Sequence, residues 1–180
     1  MDTLQSRYLE KQGSFKLLII GESGTGKTWI TSRLVNTLAD LGLADKITVI
    51  DMAPSYRGVG ILMNVRKGVR LLRPARVYAP RLMGKCCEEV WRYAELNASY
   101  IRPLIIEYSS KPTPVLVIND LTIYLHKGDP ELLYKAIDKS LLFIGNAYYG
   151  EKLKDNCGLW SWERKVVEEL AEAVDAVWRL

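Results

Sequence analysis

The octapeptide Gly21-Glu22-Ser23-Gly24-Thr25-Gly26-Lys27-Thr28 constrains this chain more than any other stretch. It fits the pattern GxxxxGK[ST] and sits between an apolar run, Phe15 to Ile20, and an amphipathic one that follows directly. Glycines at 21, 24 and 26 let the backbone wrap tightly, so that successive N–H groups converge on one anion, and the start of the next helix adds a favourable field for negative charge. A lysine in the seventh place supplies a point charge for β- and γ-phosphates, and the hydroxyl in the eighth suits Mg²⁺. Such a loop takes its shape only between a strand and a helix, which fixes the first β-loop-α unit.

Further short apolar runs follow: Ile47 to Ile50, Val115 to Ile118, Leu141 to Ile144 and Ala176 to Leu180. Being apolar on both faces, they read as parallel strands of a covered sheet. Helical patterns separate them. Ile30, Leu34, Leu38 and Leu41 predict one helix, stopped by Gly42. Val90, Ala94, Ala98, Ile101, Ile105 and Tyr108 predict a second, which Pro103 is expected to kink or restart. Val166, Leu170 and Val174 predict a third, with Ser161 as N-cap and Glu163 in its first turn. Ser109 to Pro114 reads as a linker into the next strand. Alternating strands and helices imply an α/β fold, a three-layer sandwich around a mainly parallel central sheet.

With 180 residues, 48% hydrophobic and 26% charged, the chain is expected to form a single domain over 1–180, and global disorder and collagen-like repeats are excluded. Every apolar run is far shorter than the ~18 residues of a bilayer span. Asp2, Arg7, Glu10 and Lys11 interrupt the start where a secretory signal would be apolar, so a cytoplasmic protein is expected. In that compartment Cys86, Cys87 and Cys157, an odd number with no CxxC spacing, read as reduced thiols. Both glutamines, Gln5 and Gln12, fall in the first dozen residues, a scarcity in keeping with heat adaptation.

With strand, glycine-rich loop and helix in this order, the sequence resembles the P-loop NTPase superfamily, closely over the first ~50 residues and by element order beyond them. The resemblance implies ATP or another nucleoside triphosphate bound with Mg²⁺ by Gly21 to Thr28, Lys27 on the phosphates and Thr28 on the metal. It also implies an acid at the end of another apolar strand. Two places qualify: Ile47-Thr48-Val49-Ile50-Asp51, and Val115-Leu116-Val117-Ile118-Asn119-Asp120, where the acid comes one residue late. Whether Asn119 or Asp120 faces the metal stays open. The preferred arrangement puts Asp120 at the Mg²⁺ through its water shell and uses Asp51 to orient a water or an acceptor hydroxyl. In the alternative each Asp caps the turn after its strand. No Asn-Lys pair of a guanine-reading NKxD box occurs, which favours ATP over GTP. Asn146, Tyr148 and Tyr149 follow the late strand, where the resemblance places base contacts; the tyrosines equally suit packing at the sheet edge.

From Met52 to Cys87 there are eight basic residues (Arg57, Arg66, Lys67, Arg70, Arg73, Arg76, Arg81, Lys85) and no acid. The segment carries +8 in a chain of net +4, which leaves the rest net acidic by four. It reads as a basic insertion or lid at about 55–85. If Ile61 to Leu72 is helical, Arg66, Arg70 and Arg73 line its polar face. That stripe suits solvent, a source of arginine for phosphate charge, or docking of an anionic partner. His126, alone in a predicted loop, reads as incidental, and Trp29, Trp91 and Trp178 as buried. The expectation is ATP hydrolysis or γ-phosphoryl transfer with no membrane partner. The alternative is a nucleotide-dependent switch whose basic face docks on nucleic acid or an acidic protein.

Overall fold

The computed structural model describes residues 13–180, so the readings placed on Asp2, Gln5, Arg7, Glu10, Lys11 and Gln12 lie outside the described residues. The described residues hold six strands, with helices between all but β2 and β3: β1 (Phe15–Gly21), β2 (Ile47–Asp51), β3 (Arg70–Leu72), β4 (Val115–Asn119), β5 (Leu142–Tyr148) and β6 (Ala176–Arg179). The α-helices are α1 (Lys27–Leu38), α2 (Pro80–Met83), α3 (Cys87–Ser110), α4 (Thr122–Leu125), α5 (Pro130–Ile137) and α6 (Leu159–Ala173). The strands form one sheet in the order β3-β2-β4-β5-β1-β6, and every pairing is parallel.

Period-two alternation sends side chains to two cores, as a sheet covered on both faces requires. Ile19, Ile47, Val49, Val117 and Ile144 pack with Val35 of α1 and Met63, with Val65 and Val69 against them. Leu18, Ile20, Ile50, Leu116, Ile118 and Phe143 pack on the other face against α3, α4, α5 and α6. The fold is therefore the expected three-layer α/β sandwich. The order puts β5 between β1 and β4, and the carboxyl ends of all three meet beside the glycine-rich loop, the usual ligand crevice of such sheets.

Several local expectations are corrected. Residues 61–72 form no helix. Met63, Val65 and Val69 instead lay this segment along the α1 side of the sheet, and Arg70–Leu72 pairs with β2 as a sixth strand. Pro103 does not interrupt α3, because Pro103 and Ser99, whose carbonyl loses its helical donor, both lie on the exposed side where water can serve it. Helix α6 starts before Ser161: Gly158 (φ 83°) is its N-cap, and the Asp155 carboxylate accepts from the backbone N–H of Leu159 and Trp160. β5 runs through Asn146 to Tyr148, so Asn146 sits within the sheet, opposite Ile19, and not in a loop after it.

The cysteines are not all reduced. The first turn of α3 and the connection before α6 bring Cys87 and Cys157 to a Cα separation of 5.1 Å, where they form a disulfide, and Cys86 stays free and exposed. Trp29 and Trp178 are exposed, at 67% and 45%. Among the described residues no helix is long and apolar enough to cross a membrane.

Candidate functional site

Gly26 takes φ 88° at the N-cap of α1, a left-handed conformation that L side chains rarely adopt. The turn it makes aims Lys27 back across the loop, where Nζ donates to the carbonyls of Gly21 (2.8 Å) and Glu22 (2.6 Å). An ammonium has three donors, so one remains for the cleft. Burial lowers the Lys27 pKa against the pull of Asp120, Glu22 and Glu163. Ser23, Gly24, Gly26, Lys27 and Thr28 line a cleft of about 170 Å³, with Gly21, Glu22 and Thr25 forming the loop behind them.

The Glu22 side chain turns away from the cleft. Its carboxylate accepts from the backbone N–H of Ser23 (2.8 Å), Glu151 (2.8 Å) and Lys152 (3.1 Å), clamping the loop to the β5–α6 connection. Burial raises its pKa, but these backbone donors outweigh it and hold the carboxyl at about 2. The clamp needs glycine at 150, since a Cβ there would collide with the Glu22 carboxylate.

On one side of Lys27 lies a network of hydroxyl and amide side chains anchored on Asp51. Thr28 Oγ1 donates to Asn119 Oδ1 (3.1 Å), which also accepts from Asn146 Nδ2 (2.8 Å). Asn119 Nδ2 in turn donates to Asp51 Oδ1 (2.8 Å) and to the Ile61 carbonyl (3.0 Å). Asp51 is fully buried; besides Asn119 it accepts from the backbone of Ala53 and Met63 and from Arg73 (2.6 Å), and it does not reach the cleft wall. Asn146 is likewise spent: its Nδ2 also donates to Thr31, and its Oδ1 accepts from the Asp120 N–H (2.8 Å).

The other side is charged. Asp120 takes φ 59°, uncommon for a residue with a side chain, and this turn out of β4 delivers its carboxylate to the cleft. The carboxylate accepts no hydrogen bond among the described residues. Burial pushes its pKa up to about 7, and Glu163 adds to the rise, against Lys27 and Arg81. Beside it, buried Glu163 pairs with Arg81 Nη1 (2.6 Å) and His126 Nε2 (2.7 Å), and all three line the cleft. Burial raises the Glu163 pKa, but His126 and Arg81 prevail and hold it at about 2. His126 Nδ1 is buried without a partner among the described residues.

The structure thus brings Lys27, Thr28 and Asp120 together, keeps Asn146 at the cleft wall with its amide committed, and sets Asp51 behind Asn119. Sequence reasoning missed His126, Glu163 and Arg81 as a group. They lie 37 and 82 residues apart, and only the packing of α2, α4 and α6 unites them. The solitary histidine was the one available signal.

The expected arginine stripe is absent. Arg66 pairs with Asp40, Arg70 with Glu107, Arg73 with Asp51 and Arg81 with Glu163, four acids in four places.

No family model matches this chain, and no curated protein does. Among solved structures it is similar to the Pif1 helicase from Candida albicans, at 14% identity and a TM-score of 0.34. That likeness covers 100% of this chain and 39% of the helicase chain, so the chain spans well under half of that protein's length.

Proposed function

We propose that this protein is a Mg²⁺-dependent ATPase whose triphosphate lies on the Gly21–Thr28 loop. One observation carries the reading: Lys27, Thr28, Asp120 and Arg81, from three separate parts of the chain, face a single cleft above the glycine-rich turn. The loop amides and Lys27 meet the charge of the β- and γ-phosphates. Asp120, with a free carboxylate and a pKa near neutrality, orients a water toward the γ-phosphorus and takes its proton as the bond to the leaving ADP oxygen breaks. Arg81, at the wall with Glu163, supplies positive charge to the transferred group. Asp51 holds Asn119, and Asn119 holds the Thr28 hydroxyl, so Asp51 is a positioning residue in this scheme.

The cleft offers a Thr28 hydroxyl as a direct ligand and an Asp120 carboxylate that would meet the ion only through its water shell, and no group of three or more His, Cys, Asp or Glu among the described residues could cage a metal. That donor set fits Mg²⁺, which keeps several waters and relies on phosphate oxygens. When bound, Mg²⁺ neutralises charge developing on the β- and γ-phosphates. Residues 54–61 and 79–82 form much of the facing wall, which supports reading the 55–85 segment as a cover over the nucleotide. Four of its arginines are already paired with acids elsewhere in the chain, Asp40, Glu107, Asp51 and Glu163, which favours this over docking of an anionic partner.

Calorimetric titration with Mg²⁺-ATP, paired with a phosphate-release assay, tests the proposal. Wild type is expected to bind and turn over, and Lys27→Ala to lose most of its affinity while melting cooperatively. A well-folded wild type that neither binds nor hydrolyses ATP overturns it.

A further inference from the structure

The triphosphate cradle leaves open what receives the base. Each residue that the sequence offered for that task is occupied. Asn146 is 2% exposed and its amide is committed to Thr31, Asn119 and the Asp120 N–H. The Tyr148 hydroxyl accepts from the Leu153 N–H, and the Arg81 guanidinium lies over its ring at 5.2 Å. Tyr149 donates to Glu168, and its ring is covered by Arg164 at 4.5 Å and by Arg179 at 5.5 Å.

Trp29 is the opposite case. It follows Thr28 directly, lines the same cleft and is 67% exposed, an unusual state for the largest apolar side chain. Arg33, one turn on, sits 5.8 Å from the ring centroid. It covers one face at most, and at that exposure the other is free. Ile61 (66% exposed) and Leu82 (39%) line the cleft as well, so its rim carries three uncovered apolar side chains. A purine is flat, apolar on its faces and tethered through its ribose to the phosphates below; it would cover this surface and stack on the indole.

We propose that Trp29 is the platform on which the purine base of the nucleotide stacks, with Ile61 and Leu82 at the rim. The inference rests on the nucleotide reading above and adds the subsite that reading lacks. Contact through the π face predicts that the base contributes affinity by stacking, which alanine substitution removes.

The test compares Mg²⁺-ATP with Mg²⁺-tripolyphosphate, which has the same charged tail and no base, on wild type, Trp29→Ala and Trp29→Phe, with melting curves as the folding control. Trp29→Ala is expected to weaken ATP about tenfold and to leave tripolyphosphate unchanged, with Trp29→Phe within about threefold of wild type. Mg²⁺-ATP should also shift the tryptophan emission of wild type in a way that tripolyphosphate does not and Trp29→Phe abolishes. Equal weakening of both ligands, or no effect on ATP, overturns the platform and leaves the ATPase reading intact. A wild type that binds neither ligand overturns both.

Discussion

Two polar clusters flank Lys27, and they are built on opposite terms. The Thr28–Asn119–Asn146–Asp51 cluster holds one charge, Asp51, and surrounds it with donors. The Asp120–Glu163–Arg81–His126 cluster packs charges together and, among the described residues, leaves the Asp120 carboxylate without a hydrogen bond and buries an unpartnered His126 nitrogen. Saturated networks fix geometry, because moving any member strands its neighbours. Groups that could still form bonds, with pKa values pushed in opposite directions, mark the place where chemistry happens. Under the proposed ATPase reading, the first cluster positions and the second reacts.

The largest effect that could break this contrast is on turnover. Asp120→Asn should lower phosphate release about 10³-fold with Mg²⁺-ATP affinity within a few-fold of wild type, measured by steady-state kinetics and calorimetry. In wild type, kcat/KM should fall about tenfold per pH unit below about 7, as Asp120 gains its proton, and the variant should lack that limb. Unchanged turnover would return Asp120 to a capping role.

Next comes stability on the other side. Asp51→Ala should cost about 3 kcal/mol in urea unfolding, because the Met63 N–H loses its acceptor, Arg73 its paired charge and Asn119 one of its two acceptors. A loss no larger than that of an exposed carboxylate would deny the network its positioning role. Arg81→Ala should lower turnover about 50-fold, with the melting temperature followed in parallel because Glu163 loses one of its two partners.

Acid titration sharpens the comparison further, since two carboxyls of the reactive cluster carry opposite signs. Glu163 is held at about 2, so its stabilisation is present above the ordinary carboxyl range and vanishes as pH falls through about 2; Glu163→Gln should flatten that acid limb. Asp120 is raised from 3.8 to about 7, so the folded state binds the extra proton and stability falls as pH rises between those values. Asp120→Asn should therefore melt a few degrees higher than wild type at pH 8 and close to it at pH 4. The smallest effect belongs outside both clusters: Asp40→Asn, which breaks the exposed pair with Arg66, should leave the melting temperature within about 1 °C.

The sheet and the loop were legible because apolar runs on both faces, a glycine pattern and a following amphipathic stripe are local signals. β3 was not: Arg70-Leu71-Leu72 is three residues long and becomes a strand only by pairing with β2. The basic segment misled in a physical way, since its apolar residues match a helical period but Gly58, Gly60 and Gly68 all take positive φ, and Met63, Val65 and Val69 lie along the sheet instead. At the site, Asp120 was readable from its place after an apolar run. The burial of His126 and Glu163 was not, because no spacing in the chain encodes an encounter between α4 and α6. Trp29 was expected on a buried helix face, and only the structure shows it at the rim.

The bond between Cys87 and Cys157 spans 70 residues, a stretch that contains β4, β5 and the Asp120 turn. Mechanically, this makes the heart of the sheet inextensible from outside. Held at its two ends in an optical trap, the oxidised protein would pay out roughly 250 Å less contour length than the reduced one, and the missing length would be the part that carries the Asp120 carboxylate.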